Sequence, residues 1–326
     1  MKCLSPVKIR NPNWDTRPWQ YRYLKVPCGK CTACLSNKRR EWSFRLEKEV
    51  EVSSSAFFIT LTYDNDNCPI CVNKKDCQNF LKRFRKSIEP HRIRYFLVSE
   101  YGDEIGRPHY HLLLFNYPFD LPSLRATLKK TWCLCSPDWF DRNDTVKPAH
   151  PANINYVAKY CLSNLDNDDP FSRTFMLSSR RPGIGLSYLT PAMVNYLKGR
   201  LDGSTVHHGF PMSLPRYYTD KVFDEYEKET MKLMRQGHEF DELNRVMKEY
   251  NCDEVRAHDL ITESNKHFDK KVREKLKNGF NNVQNHFYNN ERQKAEAKYL
   301  LAQSRVGNSD GCRKIDDYFS GADDPR

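Results

Sequence analysis

The sequence predicts an α+β fold in which helices flank an antiparallel sheet, followed by a helical C-terminal extension. Three short apolar segments, rich in aromatic and β-branched residues, have the composition of strands. The segments between and after them have apolar residues at helical spacing, which gives the order β-α-β-β-α of a split βαβ-like core. From about Tyr217 the chain is charged, poor in glycine and helical in character, so we expect this part to extend the core.

The three predicted strands are Ala56–Tyr63, Ile93–Glu100 and His109–Phe115. The third is apolar on both faces, which is typical of a central strand. The connection between the second and the third, YGDEIGRP, contains two glycines and a proline, and these residues favour a tight loop. We therefore expect the second and third strands to pair as an antiparallel hairpin.

Helices are expected around the strands. In the segment between the first two strands, Asp76 is the expected N-cap, and Pro90 ends the helix. Its apolar face is formed by Phe80, Leu81, Phe84 and Ile88. The basic residues of its other face are expected to be solvated, with DNA contact as the alternative. Two further helices are predicted within LPSLRATLKKTW and ANINYVAKYCL.

The composition favours a polyanionic partner. The chain of 326 residues has a formal net charge of +11, a pI near 9.0 and 13% aromatic residues. Basic chains attract nucleic acid, and aromatic rings offer surfaces on which bases stack. The N-terminal residues lack the apolar core of a signal peptide, and no segment is apolar enough to span a bilayer. We therefore expect no membrane association and a reducing cytoplasm.

His109 and His111 lie one residue apart at the start of the third strand. Side chains at i and i+2 of a strand share a face, so both imidazoles should project to one side, with Tyr110 on the other. Glu100 ends the neighbouring strand and could complete a site of two histidines and one carboxylate. Such ligands favour Mn²⁺ or Mg²⁺, with Fe²⁺ or Zn²⁺ as alternatives. Histidines that only pack, or lie at the surface, are the other interpretation.

A tyrosine pair lies on the last predicted helix of the core. Tyr156 and Tyr160 are four residues apart, opposite the apolar stripe of that helix, with Lys159 beside them. Their hydroxyls should face solvent or a cleft, where tyrosine can act as a covalent nucleophile. The pKa of a phenol is about 10, so the reaction needs help from a metal ion that polarises a phosphodiester and from Lys159. An exposed aromatic pair without chemistry is the alternative.

Four of the twelve cysteines could hold a metal ion. A C-x-x-C-x-x-C motif is formed by Cys28, Cys31 and Cys34, and Cys3 lies nearby in sequence. Four thiolates are a ligand set for a structural Zn²⁺. An iron–sulfur cluster, or reduced cysteines in a turn, would fit the same spacing.

Three motifs in this order resemble those of the HUH endonucleases, which initiate rolling-circle replication. They are FFITLTY, RPHYHLLLF and YVAKYCL, and the paired tyrosines resemble the two-tyrosine branch. With VPCGKCTACLSNKRREW before them and SRRPGIGLSYL and LPRYY after them, the chain is similar to the replication initiators of the Microviridae, above all their gokushovirus-like members. The resemblance covers about residues 1–218.

The resemblance implies a mechanism. His109, His111 and Glu100 would hold the divalent cation, and Tyr156 or Tyr160 would attack origin DNA to form a 5′-phosphotyrosyl link and a 3′-OH primer. The second tyrosine would cut the regenerated origin, and strand transfer would close a single-stranded circle without ATP. The expected substrates are supercoiled double-stranded and single-stranded origin DNA, in the cytoplasm of a bacterial host.

Other partners follow from what the sequence lacks. It contains no G-x-x-x-x-G-K-[ST] phosphate loop, so a host helicase is expected to separate the strands, together with host single-strand-binding protein and polymerase. We expect three segments: a cysteine-rich basic segment at 1–50, an HUH endonuclease core at 51–216 and a charged helical extension at 217–326. The alternatives are a plasmid or transposon enzyme with the same chemistry, such as a relaxase, and a zinc-containing nucleic-acid-binding protein without catalysis.

Overall fold

The computed structural model describes residues 3–11, 15, 22–102, 106–159 and 174–284. The chain divides into two compact units. One comprises residues 1–48 with 185–279, and we call it the helical unit. The other comprises residues 49–184 with 280–326, and we call it the sheet unit.

The described elements follow one another in this order along the chain. The strands are β1 (Val7–Arg10), β2 (Tyr23–Val26), β3 (Ala56–Leu61), β4 (Arg94–Tyr101), β5 (Pro108–Phe115), β6 (Val146–Pro148), β7 (Met176–Ser178), β8 (Ser204–His207) and β9 (Phe210–Ser213). The α-helices are α1 (Thr32–Val50), α2 (Lys74–Ser87), α3 (Leu121–Thr131), α4 (Pro151–Lys159), α5 (Pro191–Arg200), α6 (Arg216–Val222), α7 (Glu225–Tyr250) and α8 (Glu254–Gln284). Short 3-10 helices lie at Pro137–Asp141 and Leu186–Tyr188.

The sheet unit is built on a five-stranded sheet with the strand order β6-β3-β5-β4-β7. Each pair of neighbouring strands is antiparallel. The predicted hairpin is β4–β5, and the strand predicted to be central, β5, lies in the middle of the sheet. The predicted α+β fold, an antiparallel sheet with flanking helices, is therefore confirmed.

The core of the sheet unit lies between one face of the sheet and helices α2 and α3. From β5, Tyr110, Leu112 and Leu114 enter this core, and each is buried. The apolar face predicted for α2 packs against them, and α3 adds Leu124 and Leu128. The residues of β5 between these three point to the opposite face, because side chains alternate along a strand.

Helix α2 begins earlier than the sequence predicted. Its N-cap is Asn73, whose side chain accepts hydrogen bonds from the backbone N–H groups of Lys75 and Asp76. The prediction of Asp76 as the cap is wrong, because this residue lies inside the first turn. Its carboxylate instead accepts a hydrogen bond from the hydroxyl of Tyr63 at 2.9 Å.

Two buried tyrosines connect the sheet to the start of α2. The hydroxyl oxygens of Tyr63 and Tyr110 lie 2.9 Å apart, and the Tyr110 hydroxyl accepts a hydrogen bond from the N–H of Asn73 at 2.7 Å. Burial raises the pKa of both phenols above the ordinary value of 10.0, and the interaction with the other phenol raises that of Tyr63 further. Both hydroxyls therefore stay protonated at neutral pH and act as fixed hydrogen-bonding groups.

The helical unit has a core of its own. Phe44 of α1 packs with Leu197 of α5, with Met212 of β9 and with Tyr218 of α6. The guanidinium of Arg45 lies between two rings, 4.2 Å from the centroid of Trp42 and 4.0 Å from that of Tyr217. The two units differ from the three consecutive segments expected from composition, because residues 185–216 return to pack with α1. The final helices α7 and α8 confirm the helical character predicted after Tyr217.

Replacement of the Tyr63 hydroxyl should destabilise the sheet unit. Tyr63→Phe leaves the buried Tyr110 hydroxyl and Asp76 each without one hydrogen bond, which should lower the free energy of unfolding by about 1–3 kcal/mol. Urea unfolding followed by tryptophan fluorescence measures this change. The control is Tyr95→Phe, which removes a hydroxyl from a half-buried ring in the same unit.

The same comparison has a pH dependence. Because folding raises the pKa of Tyr63, the stability that its hydroxyl contributes is fully present below the unfolded-state pKa of about 10. Above that pH the unfolded chain loses the proton first, so the difference between wild type and Tyr63→Phe should shrink as the pH rises. Equal unfolding midpoints for the two variants at pH 7 would contradict this description of the tyrosine pair.

Candidate functional site

The site lies on the face of the sheet opposite the α2–α3 core. His109 and His111 alternate with the buried Tyr110 along β5, so both point to this face as predicted. On one side of β5 the register pairs Glu100 of β4 with His109. On the other side it pairs Thr60 of β3 with His111. Residues paired across antiparallel strands share a face, so all four side chains belong to one surface.

His111 is held between the two neighbouring strands. Its Nε2 lies 2.6 Å from Oε2 of Glu100, a diagonal contact across the β4–β5 pair. Its Nδ1 lies 3.3 Å from the hydroxyl oxygen of Thr60. The ring also stacks on Phe58, with centroids 5.4 Å apart and an angle of 18° between the planes. The orientation of this imidazole is therefore fixed on three sides.

His109 is fixed by its own backbone. Its Nδ1 donates a hydrogen bond to the carbonyl oxygen of Arg107 at 2.6 Å, which leaves the lone pair on Nε2. Burial lowers the pKa of His109 below its ordinary value, and the hydrogen bond to Arg107 offsets only part of this effect. A neutral imidazole whose second nitrogen donates to a carbonyl is the usual state of a metal-ligating histidine.

Gly102 provides the space for this ring. A Cβ atom at Gly102 would lie 2.8 Å from Cε1 of His109 and 3.1 Å from its Nδ1, which is closer than carbon atoms pack. The sequence analysis interpreted Gly102 only as a loop residue. The close approach follows from the register of β4 and β5, which the sequence pattern does not give at this detail.

Tyr156 lies against the same surface. Helix α4 buries Ile154, Val157 and Ala158, as its predicted stripe requires, whereas Tyr156 is 41% exposed. The ring of Tyr156 meets that of His111 edge to face, with centroids 5.2 Å apart. It also contacts the ring of Phe58 at 6.2 Å. The structure therefore brings the predicted nucleophile next to one predicted metal ligand.

The second tyrosine falls outside this description. Lys159 is the last residue of α4, and its side chain is not among those described. Tyr160 lies outside the described residues. The roles of Lys159 and Tyr160 therefore stay predictions from the sequence.

The chemistry of the donor set fits a divalent cation. Two imidazoles and one carboxylate face one surface, and the His111 and Glu100 ligand atoms are in contact. His109 lies farther away, because the three residues do not form a group whose ligand atoms all lie within 4.8 Å of one another. His109 is thus a neighbour of the His111–Glu100 pair, and a cation that took all three would draw its ring towards them.

A cleft of about 770 Å³ begins at His109. Its walls carry both signs of charge, with Arg107 and Arg142 opposed by Asp64. The guanidinium of Arg142 lies 4.9 Å from the ring centroid of Trp139, which also lines the cleft. Rings and guanidinium groups in such a cleft are the groups that contact bases and phosphates of a single strand.

Two groups of potential metal ligands lie in the helical unit. Cys3, Cys28, Cys31 and Cys34, all predicted from the sequence, have sulfur atoms within 4.8 Å of one another. Burial alone would raise the pKa of the Cys31 thiol, but hydrogen bonds from the backbone of Cys34 and Leu4 and from neighbouring thiols lower it to about 7. The second group, Glu47 with His207 and His208, was not predicted, although the sequence HHG marks its turn.

Comparison with known proteins identifies the family. A model of the replication-associated protein ORF2 family matches residues 56–165, a segment that contains both histidines and both tyrosines. The replication-associated protein VP4 of Bdellovibrio phage phiMH2K is 34% identical over 244 residues, which cover 68% of this chain and 76% of that protein. The chain belongs to the replication-associated proteins of the microviruses. The family indicated by the motifs is therefore confirmed.

Other microviral relatives match over a similar length. The replication-associated protein ORF2 of Spiroplasma virus 4 is 28% identical over 223 residues, covering 58% of this chain and 69% of that protein. ORF4 of Chlamydia phage 1 is 27% identical over 242 residues, covering 66% of this chain and 56% of that protein. The chain thus spans little more than half the length of the Chlamydia phage protein. No solved structure matches the microviral chain. None of its described helices is both long and apolar enough to cross a bilayer.

A side chain at Gly102 should weaken cation binding. In Gly102→Ala the new Cβ would displace the ring of His109, so we expect the affinity for Mn²⁺ to fall about tenfold, as it does when the support of a ligand is lost. Isothermal titration calorimetry measures the affinity. Gly199→Ala is the matched control, because no atom lies within 4 Å of the added methyl group. An unchanged affinity in a folded Gly102→Ala protein would show that His109 is not a ligand.

Proposed function

We propose that this chain is a viral rolling-circle replication initiator that cleaves one strand of origin DNA through a covalent tyrosine intermediate. The observation that carries the proposal is the contact between the rings of Tyr156 and His111 on the surface that also holds Glu100 and His109. The relatives are named as replication-associated proteins, which fits this role.

The histidine surface would position the scissile phosphate beside the phenol. His111, Glu100 and His109 would hold Mg²⁺ or Mn²⁺, which supplies positive charge to offset the charge that builds up on the phosphate. Thr60 and Phe58 fix the His111 ring, and Phe58 also contacts Tyr156. One set of contacts therefore orients both the ligand and the nucleophile.

The reaction is a transesterification. The phenolic oxygen of Tyr156 attacks the phosphorus, the bond from phosphorus to the 3′-oxygen breaks, and the DNA 5′ end stays linked to the tyrosine. The phenol gives up one proton and the leaving 3′-oxygen takes one up, so the free 3′-OH can prime synthesis. The reverse attack by a 3′-OH on the phosphotyrosine rejoins a strand without ATP, because the ester bond is conserved.

Tyr160 and Lys159 complete the proposal. Residues four apart lie on the same side of a helix, so a continued α4 would present Tyr160 next to Tyr156. A second tyrosine could cut the regenerated origin while the first is still linked to DNA. Lys159, beside both, would steady the charge of the phosphate.

The cleft at His109 offers a route for the single strand. Arg142, stacked on Trp139, and Arg107 would contact phosphates or bases on the side of the site away from Tyr156. Binding through such contacts should weaken with salt, since each phosphate contact releases counterions. A host helicase, single-strand-binding protein and polymerase would supply strand separation and synthesis in the bacterial cytoplasm.

Covalent trapping tests the proposal. The protein is incubated with Mn²⁺ and supercoiled DNA that carries its origin, and the products are separated under denaturing conditions. We expect nicked circles with protein on a 5′ end, and peptide mapping should locate the DNA on Tyr156 or Tyr160. The double variant Tyr156→Phe with Tyr160→Phe should give no adduct above background, because it lacks the attacking oxygen.

The matched control is Tyr196→Phe, which removes the hydroxyl of another exposed tyrosine, 53% accessible, and should leave the adduct yield unchanged. Adducts at full yield in the double variant would refute the assignment of the nucleophile. Salt-sensitive binding of origin DNA without any adduct in the wild type would instead favour a binding protein without catalysis.

A further inference from the structure

The base of the β1–β2 hairpin gathers the four cysteines of the helical unit. The register pairs Val7 with Val26, so the residues before β1 run alongside those after β2. Cys3 lies before β1 and meets the loop that carries Cys28, Cys31 and, on the first turn of α1, Cys34. The hairpin therefore brings together thiols that are about 25 residues apart in sequence.

The sulfur positions match a tetrahedral metal site. The Sγ atom of Cys3 lies 3.6 Å from that of Cys28 and 3.8 Å from that of Cys31, and all four sulfurs lie within 4.8 Å of one another. A zinc–sulfur bond of about 2.3 Å gives sulfur-to-sulfur edges of about 3.8 Å in a tetrahedron. A disulfide would need about 2.05 Å, and these cysteines are free thiols.

Backbone N–H groups are directed at the sulfurs. The Sγ atom of Cys28 accepts from the N–H groups of Lys30 at 3.4 Å and Cys31 at 3.2 Å. The Sγ atom of Cys3 accepts from the N–H of Cys28 at 3.3 Å, and that of Cys31 from the N–H of Leu4 at 3.4 Å. Such donors stabilise thiolates and orient metal ligands.

The same loop is attached to helix α8. The backbone N–H and the hydroxyl of Thr32, at the start of α1, both donate to Oδ1 of Asp269 at 2.9 and 2.6 Å. Arg273 donates to Asp269 at 2.9 Å and to the carbonyl oxygen of Lys30 at 2.9 Å. The conformation of residues 28–34 therefore determines whether α8 finds its partners on α1.

We propose that Cys3, Cys28, Cys31 and Cys34 bind one Zn²⁺, and that this ion holds the β1–β2 hairpin and the loop to which α8 is attached. Four protein thiolates fill a tetrahedral coordination sphere, so the site has no position for a substrate and is structural. The proposal is independent of strand cleavage, because it concerns the helical unit alone.

Metal analysis of the purified full chain tests the site. Mass spectrometry of the elements should find about one zinc ion per chain in the wild type. The double variant Cys31→Ser with Cys34→Ser should lose it, whereas Cys133→Ser, a change at an exposed cysteine outside the group, should retain it. Iron in place of zinc, zinc retained by the double variant, or zinc lost only in His207→Ala would each overturn the proposal.

Two measurements on the unmutated protein cover the case in which the double variant does not fold. Replacement of zinc by Co²⁺ should produce the intense thiolate-to-metal absorption of a tetrahedral site. Removal of the metal by a chelator should accelerate amide hydrogen exchange in β1, β2 and the part of α8 around Asp269, but not in β3–β5. No thiolate absorption, or no change in exchange on removal of the metal, would contradict the proposed site and its structural role respectively.

Discussion

The pairing of β4 with β5 is the constraint on which the candidate site depends. With Glu100 opposite His109, the carboxylate reaches His111 diagonally, and the Gly102 backbone passes close to the His109 ring. A shift of this register by one residue would turn the histidines into the apolar core and Tyr110 towards solvent. Burial of Tyr110, Leu112 and Leu114 against α2 and α3 opposes such a shift, so the hydrophobic core also fixes the position of the site.

The two faces of the sheet have different tasks. One face forms the core and the hydrogen-bonded pair Tyr63–Tyr110, which connects it to the start of α2. The other face carries His111, which is stacked on Phe58 and touched by Tyr156 of α4. Tyr156 is therefore presented from a helix that packs on the sheet through its own buried stripe. The nucleophile can approach the histidines because a buried helix face holds it there.

Much of this arrangement could be predicted from local patterns. The alternation of His109, Tyr110 and His111 gave the face, and the helical spacing of Ile154, Val157 and Ala158 placed Tyr156 on the other side of its helix. The resemblance to microviral initiators then connected the two. Tyr160 and Lys159 remain predictions, as does the cation.

Contacts between residues distant in sequence could not be predicted. Thr60 meets His111 because β3 lies beside β5, and the sequence does not state this strand order. Asn73 replaced Asp76 as the cap of α2 because Tyr63 binds the Asp76 carboxylate. The return of residues 185–216 to α1 depends on packing around Phe44, which no local pattern reveals.

The central claim is that a cation at His111 and Glu100 lies next to the Tyr156 ring. Fluorine NMR of the full chain labelled with 3-fluorotyrosine tests it, with signals assigned by single tyrosine-to-phenylalanine variants. Bound Mn²⁺ should broaden the Tyr156 signal far more than that of Tyr117, which follows the distant end of β5, and His111→Ala should abolish this broadening. A Tyr156 signal that stays as sharp as that of Tyr117 at saturating Mn²⁺ would contradict the account.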